Sequence, residues 1–148
     1  MPRIERTAHA VWEGNVARGG GSIAAGSGAF SGLDFSVATR IGQPEGNTSP
    51  EELLAAAHAG CLTMSLASEL SRAGTPPERL EIDCRIVMDE VEGQGHQIVG
   101  SQVAATVAAE GVDEDALRAA TEKADEGCPF SALLKRAGAD VTVSARLA

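Results

Sequence analysis

Tyrosine is absent from this 148-residue chain, and the other aromatics amount to one tryptophan and three phenylalanines. So few rings make a stacking platform for single-stranded nucleic acid a poor reading. They also leave the core to alanine, valine, leucine and isoleucine. A basic excess is missing as well: 12 lysines and arginines face 21 aspartates and glutamates, for a net charge of −9. Nucleic acid and anionic membrane surfaces are therefore not expected as partners. No uninterrupted apolar run reaches the roughly 18 residues of a membrane span, and the first residues lack the apolar core of a signal peptide. The cytoplasm is the expected compartment. The three cysteines, Cys61, Cys84 and Cys128, contain no CxxC pair of the zinc or thioredoxin kind. An odd number does not make a disulfide framework.

What remains is a composition close to the soluble globular average, with 43% hydrophobic and 22% charged residues. The length fits one domain over 1–148. Strands are predicted at 8–14, weakly at 22–30, and at 33–41, where LDFSVATRI alternates Leu33, Phe35, Val37 and Thr39 against Asp34, Ser36, Ala38 and Arg40. Gly-rich turns join them into an antiparallel meander. A loop over 42–48 leads to the strongest helix signal of the chain. Ser49 can cap, Pro50 takes the first helical position, and Glu51 and Glu52 occupy the first turn, Glu52 completing a capping box. From Leu53 to Ala73 the segment contains no proline and is apolar almost all round, which predicts a helix buried at the centre of a structure. Two strands at 80–90 and 98–109 read as a hairpin. A second helix at 113–126, a short third at 130–136 and a closing strand at 141–147 complete an α+β domain with mainly antiparallel sheet.

Each cysteine has a structural and a chemical reading. Cys128, between Gly127 and Pro129, falls at the N-cap of the short helix, where free N–H groups and the helix dipole favour a thiolate; filling a cap site is the alternative. Cys61 lies in the apolar helix with His58 three residues before it and Ser65 four after. A Cys–His pair generates a thiolate, yet a buried thiol beside a hydrogen-bonded histidine is the commoner arrangement. Cys84 alternates with Ile82 and Ile86 and reads as core.

The run NTSPEELLAAAHAGCLTMSLASEL (47–70) and the later EGCPFSALLK (126–135) resemble the OsmC/Ohr family of thiol peroxidases that reduce organic hydroperoxides. The likeness extends through VWEGNVARGGG, SVATR and GVDEDALRAATEKADEGCP, and AHAGC with an early WEG is closer to the OsmC branch. Gly60, Leu62 and Phe130 depart from frequent family residues at packing positions. The resemblance implies Cys61 as the peroxidatic and Cys128 as the resolving cysteine. It also implies Glu51 as the family's glutamate and an arginine that is Arg40 or, from the Gly-rich turn, Arg18. No metal or organic cofactor is implied; an external dithiol is. The implied fold packs antiparallel sheets on two long central helices as an intertwined homodimer. Two other readings compete: a ligand-binding or stress-structural protein with buried cysteines, and a Cys61–His58 acyl hydrolase, for which no nucleophile elbow is present.

Overall fold

The computed structural model describes residues 2–148. The chain forms two compact units, 1–50 and 51–148. In the first, β1 (Ala8–Glu13), β2 (Gly20–Ala25) and β3 (Leu33–Phe35) make the antiparallel meander that the turns predict, in the order β1-β2-β3. The third strand ends at Phe35, six residues before the predicted end at Ile41. Ser36 accepts a hydrogen bond from the Thr39 N–H at 3.1 Å, and the Thr39 hydroxyl is 3.3 Å from the Ser36 N–H. This reciprocal capping box starts a short helix, α1 (Val37–Ile41), in place of the predicted strand. Local side-chain capping overrides the alternation that reads as β. Arg40 consequently lies in the last turn of a helix.

The second unit is built on α2 (Pro50–Arg72), which begins at the proline the sequence predicts. Strands β4 (Arg79–Val91) and β5 (Gly95–Ala108) form the predicted antiparallel hairpin. Its Glu92–Gln94 turn contains Gly93 at φ 75° and is followed by Gly95 at 73°, a conformation that favours glycine. The chain then runs through α3 (Glu114–Gly127) and α4 (Pro129–Arg136) into β6 (Asp140–Leu147). Asp113 caps α3 by accepting from the Ala116 N–H at 2.8 Å.

One strand pairing departs from the antiparallel expectation: β6 runs parallel to β5. The two-helix connection supplies the long crossover that parallel pairing requires. The sheet order is β4-β5-β6.

Leu62, Leu66 and Leu70 of α2, Val103, Ala105 and Val107 of β5, and Leu117, Ala120 and Ala124 of α3 make the core of this unit, which also takes in Cys128. Only one face of α2 is fully buried, the one carrying His58, Leu62, Leu66 and Leu70 at four-residue spacing. The opposite ridge, Ala56, Gly60, Met64 and Ser68, is exposed, with Met64 at 70%. Burial on all sides is thus not achieved by one chain, because one sheet covers one helix face. Among the described residues one helix is of such length, where the resemblance implies two long central helices. By length and mean hydropathy α2 does reach the threshold for crossing a membrane, contrary to the uninterrupted-run argument, although its leucine face is packed on the sheet.

Candidate active site

The N-terminus of α4 brings two sulfurs together. Gly127 ends α3, and Cys128 (φ −79°, ψ 115°) is at once the C-cap of α3 and the N-cap of α4, with Pro129 at the first helical position. Pro129 forgoes an N–H that the first helical turn leaves unpaired. The Cys128 side chain makes no capping hydrogen bond. It is instead wholly buried and meets the thiol of Cys61 on α2. The N–H of Phe130, in the first turn of α4, donates to the Cys61 sulfur. The helix end that was expected to serve Cys128 thus serves Cys61 instead.

The charge balance at Cys61 is a contest. Burial pushes its thiol above the ordinary 9.0, and the hydrogen bond and charge of Cys128 push the same way; the Phe130 N–H pulls it down. The upward influences win. No disulfide joins the two, and all three cysteines are free thiols.

His58 is not paired with Cys61. Its ring is wholly buried and both nitrogens are held by hydroxyls: Nδ1 is 2.8 Å from Ser101 Oγ on β5, and Nε2 is 2.8 Å from Ser131 Oγ on α4. Burial lowers its pKa from 6.5, with Asp125 opposing and Lys135 reinforcing the shift. Those two charges belong to an ion pair of 2.6 Å that ties α3 to α4. Cys84 on β4 completes the polar cluster, its sulfur 3.6 Å from Ser101 Oγ and 4.0 Å from His58 Nδ1. It is half-buried against the core, as the strand alternation predicts, but its polar neighbours were not foreseen. Ser101 and Ser131 were missed entirely. The available signal was a mirrored spacing: Ser131 follows Cys128 by three residues as His58 precedes Cys61 by three.

Glu51 lies in the first turn of α2, in the same unit as both sulfurs. Arg40 on α1 and Arg18 in the β1–β2 turn belong to the first unit. Arg18 lines an open cleft of about 680 Å³ with Glu13, Asp34 and Ser36. Its turn is organised by Asn15, whose Oδ1 accepts from the N–H groups of Ala17 and Arg18 at 3.1 and 3.0 Å. Among the described residues no group of three or more histidine, cysteine, aspartate or glutamate side chains is arranged to hold a metal ion.

Comparison with known proteins decides the lineage. The family model described as OsmC-like protein matches residues 42–144. The chain is 33% identical over 144 residues to the peroxiredoxin OsmC of Escherichia coli (strain K12), covering 97% of each. This chain belongs to the OsmC-like family. The fold agrees with solved OsmC/Ohr structures. An organic hydroperoxide resistance protein from Elizabethkingia anophelis superposes with a TM-score of 0.79 at 19% identity over the full length of both chains. The OsmC protein of Legionella pneumophila gives 0.72 at 23% identity, over 97% of this chain and 98% of that one. The OsmC-like chain is accordingly a thiol-dependent peroxidase of the OsmC/Ohr type.

Proposed function

We propose that this chain reduces organic hydroperoxides to alcohols, and hydrogen peroxide less well, with Cys61 as the peroxidatic and Cys128 as the resolving cysteine. The reading is carried by the contact between the two sulfurs at the start of α4. The Cys61 thiolate attacks one peroxide oxygen, the O–O bond breaks, and the alkoxide leaves to take up a proton as the alcohol. Cys61 becomes a sulfenic acid. The Cys128 thiol then displaces water from it, forming the Cys61–Cys128 disulfide. An external dithiol restores both thiols by exchange and is itself oxidised to a disulfide.

The upward push on Cys61 supports a further element of this reading. Burial and the second sulfur outweigh the Phe130 N–H, and a cation beside the sulfur would favour the thiolate near neutral pH. Arg40 is proposed for that role, with Arg18 as the alternative, and Glu51 to orient the guanidinium through a bidentate pair. The same guanidinium would stabilise charge developing on the leaving oxygen.

The working unit is proposed to be a homodimer in which residues 1–148 act as one domain. Its support is the exposed ridge Ala56–Gly60–Met64–Ser68, whose small residues allow a second α2 to approach closely. The proposed setting is the cytoplasm, where thiols are kept reduced. The test is a steady-state assay with a dithiol reductant, comparing a bulky organic hydroperoxide with hydrogen peroxide. The reading expects turnover with both and a higher kcat/KM for the organic substrate. Equal loss of peroxide with and without the protein would contradict it.

A further inference from the structure

The helices that carry the two sulfurs touch at a second place. His58 stands one turn before Cys61 on α2, and Ser131 one turn after Cys128 on α4. Imidazole and hydroxyl are both wholly buried and lie 2.8 Å apart. The far side of the same ring is fixed at 2.8 Å by Ser101 of β5, the central strand. A flat ring with a nitrogen on each side is suited to joining three elements in this way. A leucine of similar bulk would fill the space but leave two buried hydroxyls without their partner, at a desolvation cost.

We propose that His58 is a positioning residue. Through Ser131 it holds the N-terminus of α4 on α2, so that the Phe130 N–H and the Cys128 thiol both stay at the Cys61 sulfur. The inference rests on the Cys61–Cys128 reading above. The sensitive step is ring closure, in which the Cys61 sulfenic acid and the Cys128 thiol lose water to form an S–S bond. The sulfurs must pass from contact to a bond of about 2.05 Å, with a defined dihedral. Small misplacements of reacting atoms are costly in rate. Neither nitrogen of His58 is free to act as a base towards Cys61, so positioning is the role its contacts leave it.

The test uses the full-length reduced protein and one equivalent of tert-butyl hydroperoxide. Wild type is compared with Ser131→Ala, His58→Asn and His58→Gln. Asparagine places its amide near the Nδ1 position and keeps the Ser101 side; glutamine reaches the Nε2 position and keeps the Ser131 side. Quenched-flow peptide mapping reads the rate of disulfide closure, and alkylation of Cys61 against pH reads its thiolate. Ser131→Ala and His58→Asn are expected to close about tenfold more slowly, the effect of one lost buried hydrogen bond. Their alkylation profiles should shift to higher pH as the Phe130 N–H drifts away. His58→Gln should stay within about twofold of wild type, since the bond to Ser131 is retained. A merely structural role would lower the melting temperature and move neither readout.

Wild-type closure rates and profiles in Ser131→Ala and His58→Asn would overturn the proposal, and so would His58→Gln as slow as His58→Asn. A wild type that forms no Cys61–Cys128 disulfide would remove the underlying reading, and the proposal with it. That result is distinguishable from a wild type that closes normally beside variants that close just as fast.

Discussion

Cys61 and Cys84 belong to the same unit, are both half-buried, and are both pushed above the ordinary thiol pKa of 9.0 by burial. They differ in their neighbours. Cys84 faces the Ser101 hydroxyl and the His58 ring from a strand. Cys61 faces a second sulfur and a backbone N–H at a helix start. Burial does not separate the cysteine proposed to react from the one read as core. The second sulfur beside Cys61 is what sets it apart, because a sulfenic acid formed there has a thiol at hand with which to condense to a disulfide.

The strongest way to break this comparison is Cys61→Ser. A hydroxyl is neither ionised near neutral pH nor nucleophilic enough towards the O–O bond. Peroxidase kcat/KM should fall by roughly three orders of magnitude or more, the scale on which losing a nucleophile acts. Near-normal activity would reject the assignment. Cys128→Ser should have a smaller and different effect. Cys61 still reacts once, but its sulfenic acid persists or proceeds to sulfinic acid. Intact mass after one equivalent of hydroperoxide should show added oxygen on Cys61, and a small dithiol should sustain reduced turnover by attacking the sulfenic acid directly.

The cluster on the Cys84 side should announce itself in stability. Burial holds the folded pKa of His58 below 6.5. As pH falls through 6.5 the unfolded chain takes up a proton at His58 that the folded chain does not. Stability from this residue therefore falls with falling pH, until the folded pKa is reached. The slope is at most about 1.4 kcal/mol per pH unit. Urea midpoints of wild type at about pH 7.5 and pH 5.5 should differ more than those of His58→Gln, which lacks the titrating ring. Equal differences would show that the imidazole is not held neutral. The smallest effect is expected of Cys84→Ala: turnover close to wild type and a stability loss of about 1 kcal/mol from the vacated space. Complete loss of activity in a folded Cys84→Ala protein would place Cys84 in the chemistry and erase the distinction between the two sulfurs.

Much of the second unit was legible because its signals are local and agree with one another. Pro50 opens α2, Asp113 caps α3, Cys128-Pro129 opens α4, and alternation marks β4 down to its bulge at Val87 and Met88. Where two local signals conflict, alternation misled: Ser36 and Thr39 fit a strand pattern but cap each other and start α1. The parallel sense of β6 depends on how the long crossover over 109–139 returns to the sheet, which no short window encodes. Cys61 and Cys128 were singled out by the resemblance, and the start of α4 at Cys128 was legible from Pro129. Ser101 and Ser131 were not, because a serine carries no sign of a partner 43 or 73 residues away. The exposed ridge of α2 was hidden for a related reason, since an apolar sequence tells how much surface must be covered and not whose chain covers it.

The central claim is that the neighbour of Cys61 is its partner in chemistry. Peptide mapping of the wild-type protein after one equivalent of organic hydroperoxide tests it directly. The account predicts a loss of two hydrogens per chain and a cross-linked peptide joining Cys61 to Cys128. An oxidised protein without that cross-link, or with one between Cys61 and Cys84, would contradict it.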